Sequence, residues 1–155
     1  MLGFFAKKEF KVAVPVTGQV LDITTVADEV FAQKMLGDGF AVEPTGCVVT
    51  APCAGKIVHL ADTYHALVIE NKGVQIMLHI GLDTVNLAGK GFRPWVQVGQ
   101  EVKSGDKLVE FDPAVITAAG KKLTTMVTVV NQEEAVSALK KDLTNSDAVL
   151  IITYK

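Results

Sequence analysis

Two histidines, His65 and His79, stand on either side of the tripeptide Asn71-Lys72-Gly73. The runs 65–70 and 74–80 read as two strands of a hairpin with that tripeptide at its tip. A three-residue loop with Gly in the left-handed position is a common hairpin connection. In that register Glu70 faces Val74, and His65 faces His79. Opposed β-carbons lie about 4.5–5.5 Å apart, so the two imidazoles are expected to touch. A two-residue loop would shift the pairing by one and place them on opposite faces. Alternation puts Val74, Ile76, Leu78, Ile80 and Leu82 on one face, and Gln75, Met77, His79, Gly81 and Asp83 on the other, less apolar one. Thr63 lies two residues before His65 on the same side and can orient that ring through its hydroxyl.

Two chemistries fit such a pair. A neutral imidazole is a nucleophile at physiological pH and can accept a phosphoryl group, with the second imidazole donating a hydrogen bond to the phosphoryl oxygens. Such transfer depends mainly on positioning and electrostatics. Alternatively, His65 and His79 can bind Zn²⁺, with Asp83 or a water completing the site, as in a zinc hydrolase. That reading lacks the His-x-His element, because Gly81 stands two residues after His79. The bland reading is a surface histidine beside an unrelated core histidine.

The elements that must position the pair are mostly strands. Val, Ile and Thr make up 44 of the 155 residues, a β-branched load that favours sheet. Strands are expected at 11–16, 18–23, 40–42, 46–50, 55–61, 65–70, 74–80, 96–98, 107–111, 123–130 and 148–154. Helices are expected at 26–36, ending at Gly37, and at 113–119, with Asp112 as N-cap and Pro113 at the first position. A third, at 132–143, follows Asn131, with Glu134 as in a capping box and Val136, Leu139 and Leu143 on one face. The pattern predicts an all-β, single-domain antiparallel β-sandwich of the duplicated type with a few short helices, spanning 11–155 behind a flexible lead-in, 1–10. Duplication is suggested by Val14-Pro15-Val16-Thr17-Gly18-Gln19-Val20-Leu21, which parallels Ala51-Pro52-Cys53-Ala54-Gly55-Lys56-Ile57-Val58. In the lead-in, Phe4, Phe5 and Phe10 with Lys7, Lys8 and Lys11 read as a weak amphipathic anchor or a frayed terminus.

Composition narrows the function classes. A net charge of −2 and a single arginine, Arg93, argue against nucleic-acid binding. Hydrophobic residues at 49% and charged residues at 21% exclude a disordered chain. No apolar run reaches the roughly 18 residues that span a membrane, and the start lacks a signal-peptide core. Cys47 and Cys53 read as reduced, buried thiols, and a cytoplasmic protein is expected. Met1 is read as the start of a free-standing chain. His59 reads as an ordinary strand histidine and Trp95 as cover for a core edge. Gly89-Lys90-Gly91 lacks the P-loop spacing. Residues 99–108 resemble a lipoyl-carrier hairpin without its modified lysine.

Several stretches together carry a resemblance. They are residues 30–39, Pro44-Thr45-Gly46, Ala51-Pro52-Cys53-Ala54-Gly55, His65-Ala66, His79-Ile80-Gly81-Leu82-Asp83-Thr84-Val85, Gly89-Lys90-Gly91-Phe92 and Gly105-Asp106. The sequence resembles the glucose-specific IIA component of the bacterial phosphoenolpyruvate-dependent sugar phosphotransferase system. The resemblance implies a sandwich with a shallow apolar depression around two histidines. It implies that His79 accepts a phosphoryl group on Nε2 from the phosphocarrier protein HPr and passes it to a cysteine of the IIB domain of a sugar permease. His65 would support His79 and be held by Thr63. The docking rim would comprise Val30, Phe31, Leu36 and Val85, with Asp28 and Asp83 at its edge. No cofactor is required, although zinc at the His65/His79 pair within a partner complex is compatible. The protein is expected to act as a monomer, with regulated permeases or metabolic enzymes as further partners, in the cytoplasm and transiently at the inner membrane face. Tyr64 stands where the family commonly has Asn, and Gln33 where an acidic residue is expected.

Overall fold

The β-branched runs pair almost wherever they can. A computed structural model describes residues 7–155. Its first strands are β1 (Glu9–Val12), β2 (Gly18–Asp22), β3 (Gly39–Pro44), β4 (Val48–Thr50) and β5 (Gly55–Leu60). The central hairpin is β6 (Ala66–Asn71) and β7 (Val74–Leu82). After it come β8 (Phe92–Pro94), β9 (Glu101–Val102), β10 (Lys107–Phe111), β11 (Lys122–Val129), β12 (Val136–Lys141) and β13 (Leu150–Tyr154). Three short helices interrupt them: α1 (Glu29–Ala32), α2 (Pro113–Ala118) and α3 (Gln132–Ala135).

Every pairing is antiparallel. A seven-stranded sheet, ordered β2-β3-β11-β7-β6-β5-β9, packs with two three-stranded sheets, β4-β10-β8 and β1-β13-β12. Alternation explains the sandwich. On β7, Val74, Ile76, Leu78 and Ile80 are fully buried in the main core, with Phe40, Leu67, Ile69, Val127 and Leu108 around them. The opposite face of the large sheet carries a second, smaller cluster. There Ala41, Met126, Leu82 and Met77 are roofed by Ile23, Val26 and Phe31, which lie on and before α1. This small cluster is the floor on which the site is built.

The duplicated pattern has a structural counterpart. Gly18 opens β2 and Gly55 opens β5. At each, an added Cβ would strike a carbonyl of the neighbouring strand, Glu43 O and Glu70 O respectively. The residue just before each copy bonds to the proline of the other, Ala13 N–H to Pro52 O and Thr50 N–H to Pro15 O.

Four elements differ from the sequence expectation. The expected helix 132–143 is helical only as α3, and residues 136–141 form β12. Val136 and Leu139, three apart, both reach the core from a strand because a bulge lies between Val136 and Ala138, and the expected cap is occupied elsewhere. The Asn131 side chain accepts from Gln75 N–H and donates to Gly73 O, so it tethers the hairpin tip instead. The expected helix 26–36 is reduced to α1, capped by Asp28 and ended where Lys34 turns left-handed. The expected strand 96–98 is a loop, closed by Gln100 N–H to Gln97 O, with β8 and β9 on either side. The strand expected at 11–16 runs earlier, over Glu9–Val12, with Phe10 against Tyr154. Phe4 and Phe5 lie outside the described residues. The helix capped by Asp112 forms as expected, its carboxylate accepting from Ala114 N–H and Val115 N–H.

Candidate functional site

The hairpin tip decides the register. Lys72 and Gly73 both have positive φ, 52° and 80°, the signature of a two-residue type I′ turn. Asn71 therefore pairs with Val74, and His79 pairs with Ala66 rather than His65. The expected facing of His65 and His79 across the ladder is thus wrong. The two rings nevertheless meet, 5.0 Å between centroids and nearly perpendicular. The reason is that His65 precedes β6 and escapes its alternation. Tyr64 sits at φ 62°, a left-handed conformation that Asn adopts more readily than an aromatic residue. The chain turns there and brings the His65 ring back over the sheet.

Each ring is held by its Nδ1. The Thr63 hydroxyl lies 2.5 Å from His65 Nδ1. His79 Nδ1 lies 2.9 Å from the Gly81 carbonyl, which can only accept, so the His79 proton sits on Nδ1 and the lone pair on Nε2. Gly81 can offer that carbonyl because its φ is 80° and because any Cβ would strike Thr84 and the Lys122 carbonyl. The β7–β11 ladder shifts register at this point. The Phe31 ring packs edge-on against His79 at 5.1 Å and forms one wall.

Both imidazoles are biased towards the neutral form. Burial lowers His65 to about 4, helped by the neighbouring His79. Burial also lowers His79, while the Gly81 hydrogen bond and then the charges of Asp28 and Asp83 pull it back up. Neutral rings with one free lone pair can act as nucleophiles near pH 7. A stability consequence follows from His65. Its folded pKa lies below the unfolded value near 6.5, so the folded state binds fewer protons between these values. Stability is therefore expected to fall as pH drops from about 6.5 towards 4, by on the order of 3 kcal/mol. Urea unfolding at pH 7 and pH 4.5 measures this, and His65→Gln should remove that part of the acid sensitivity. An equal acid loss in the variant would assign it elsewhere.

The rim is only partly as expected. Val30 and Val85 are exposed at 41% and 52%. Asp83 is exposed, while Asp28 and Leu36 are half-buried. Phe31, at 4% exposure, is not on the rim but beneath it, in the small cluster and against His79. Phe31→Ala is accordingly expected to cost about 3 kcal/mol, at the low end for a buried Phe. If, as the resemblance implies, His79 accepts a phosphoryl group, acceptance should fall as well, because the ring loses a wall. Thermal denaturation and transfer kinetics test the two halves separately. Met35, exposed at 68%, was not anticipated. Helical spacing from Phe31 would have buried it, and the left-handed turn at Lys34 throws it outward.

The other expectations sort quickly. His59 is an exposed residue on β5. Cys53 is buried, its thiol pushed up to about 12 by desolvation, whereas Cys47 is only half-buried. Trp95 is 42% exposed, with the Arg93 guanidinium and the Lys107 ammonium 4.6 Å and 5.1 Å from its ring centre. As a zinc site the pair offers two imidazoles, whereas catalytic zinc takes three protein ligands. Among the described residues no group of three His, Cys, Asp or Glu is placed to hold a metal ion. Among the same residues no helix is long and apolar enough to cross a membrane.

Fold and site together define a class: an antiparallel sandwich that presents two touching imidazoles, both biased towards the neutral form, with Phe31 as a wall. Comparison with known proteins gives the family. Residues 10–135 match the family model described as phosphoenolpyruvate-dependent sugar phosphotransferase system, EIIA 1. A glucose-specific EIIA component of Bacillus cereus is 44% identical over 137 residues, covering 88% of this chain and 82% of the relative. Its counterpart in Haemophilus influenzae is 39% identical, covering 86% and 81%. The solved glucose permease IIA of Mycoplasma capricolum superposes with a TM-score of 0.79 at 38% identity, covering 96% of this chain and 99% of that one. The chain belongs to this EIIA family, whose members are phosphotransferase components of the sugar phosphotransferase system.

Proposed function

We propose that the chain carries a phosphoryl group on His79 Nε2, taking it from a phosphohistidine of the HPr type and giving it to a cysteine of a sugar permease's IIB domain. The observation that carries this reading is the Nδ1–H bond to Gly81 O, which leaves the Nε2 lone pair of a neutral ring free. In acceptance, that lone pair forms the new N–P bond as the donor's N–P bond breaks, and the donor imidazole leaves with its electron pair. The His79 ring, now bearing Nδ1–H and Nε2–P, gains positive charge. The Gly81 carbonyl and the carboxylates of Asp28 and Asp83 favour that charge. In donation, a cysteine thiolate attacks phosphorus and the His79 ring leaves neutral. With Thr63 donating to Nδ1, the His65 proton sits on Nε2 and can bond the phosphoryl oxygens.

The exposed Val30, Met35 and Val85 suit brief docking of both partners, because a modest apolar patch supports a transient interface. Addition of about −1.5 to −2 charges beside this patch would also let phosphorylation switch the binding of regulated permeases or metabolic enzymes. The reactions proceed in the cytoplasm and at the inner face of the membrane where the permease lies. The test is incubation with phosphoenolpyruvate, enzyme I and HPr, followed by ³¹P NMR. An acid-labile, alkali-stable signal is expected, and its absence with active partners overturns the reading.

A further inference from the structure

We propose that Thr84 is a positioning residue for this reaction, selecting the reactive tautomer of His79 through the backbone of Ile80 and Gly81. The kinetic half of the proposal rests on the carrier reading above, and the tautomer half does not. Both histidines are tied to this one dipeptide. Ile80 N–H donates to the His65 carbonyl at 2.7 Å, and the Gly81 carbonyl accepts from His79 Nδ1 at 2.9 Å. The β7–β11 ladder shifts register just beyond Ile80, so regular strand pairing does not fix the Gly81 carbonyl.

Thr84 supplies the missing constraint. It is fully buried, and its hydroxyl donates to the Ile80 carbonyl at 2.6 Å. Its methyl lies over Gly81, where an added Cβ would strike it. The left-handed Asp83 turns the chain back so that Thr84 reaches Ile80. A hydroxyl on one carbonyl and a methyl on the next residue together restrain the direction of Gly81 O. That direction keeps the His79 proton on Nδ1. Without it, the ring proton distributes between the two nitrogens, and every molecule protonated at Nε2 lacks the nucleophilic lone pair.

Thr84→Val keeps the shape and removes the hydroxyl, while Thr84→Ser keeps the hydroxyl. Two-bond ¹H–¹⁵N spectra of uniformly labelled protein report the tautomer of each histidine, with the exposed His59 as an internal reference. Wild type and Thr84→Ser should show His79 protonated at Nδ1. Thr84→Val should show averaged or reversed His79 nitrogen shifts. Its rate of phosphoryl acceptance from HPr should fall about 10-fold, the lower end for losing a group that orients a functional histidine, and Thr84→Ser should restore it. Retention of the wild-type tautomer in Thr84→Val, or an equal loss in Thr84→Ser, overturns the proposal. If the valine variant does not fold, Thr84→Ala set against Thr84→Ser isolates the hydroxyl, since both lack the methyl: the alanine variant should show the shifted His79 tautomer, and a tautomer identical in the two overturns the assignment. Failure of wild type to accept phosphate would count against the carrier reading and leave the tautomer result standing.

Discussion

His79→Gln is expected to yield a folded domain that takes up no phosphate. Glutamine is close to histidine in volume, and its amide N–H can still reach towards the Gly81 carbonyl that now holds the ring. What it lacks is a basic nitrogen lone pair, and no neighbouring group replaces it. His65 is pinned by Thr63 and buried at 8% exposure, and His59 stands apart on β5. The melting temperature should therefore move little while ³¹P NMR shows no phosphohistidine under conditions that load wild type fully. Phosphate found on His65 or His59 in the variant would overturn the assignment of the acceptor.

His65→Gln is expected to separate the two half-reactions. Acceptance should survive, because His79 keeps its tautomer lock and its lone pair. Donation should fall by about 10²- to 10³-fold, the usual effect of removing one preorganised donor to a developing anion. The asymmetry has an electrostatic origin. Acceptance opposes a neutral imidazole to the phosphoryl group, whereas donation brings an anionic thiolate towards a dianion, in a setting where burial strengthens the repulsion. A hydrogen bond from His65 Nε2 to the phosphoryl oxygens offsets more in the second case. Single-turnover transfer from the loaded variant to a IIB domain, compared with its loading by HPr, reads the two steps separately. Equal slowing of both would remove the asymmetry, and unchanged donation would leave His65 a purely structural neighbour.

The histidine pair shows how a sequence can point to a site for an incorrect local reason. The contact of His65 with His79 was expected from a three-residue turn that does not exist. Lys72-Gly73 form a two-residue turn, the ladder shifts by one, and Ala66 takes the place opposite His79. Contact is restored outside the ladder, by the left-handed Tyr64. No propensity announces such a residue, because an aromatic at positive φ is held by its surroundings and not by its own preference. Residues 136–141 make the same point. Their apolar spacing is that of a helix, and what makes them a strand, pairing with β13 across a bulge after Val136, is a long-range event that a local window does not contain.

Some properties follow from the sequence alone because they depend on local chemistry or on composition. The β-branched load and alternation along 74–80 dictate a strand with one face in the main core, and Asp112-Pro113 dictates a helix start. The types of the reactive groups are equally local: imidazoles, a hydroxyl two residues before one of them, and a glycine two residues after the other. Only the tertiary structure settles what these groups become. It sinks Phe31 beneath the surface and against His79, because the face it covers is built from β3, β7 and β11 together. It aims the Gly81 carbonyl at Nδ1, because the chain must turn at a break in the ladder. It biases both rings towards the neutral form, because burial is a sum over distant segments and not a property of any one of them.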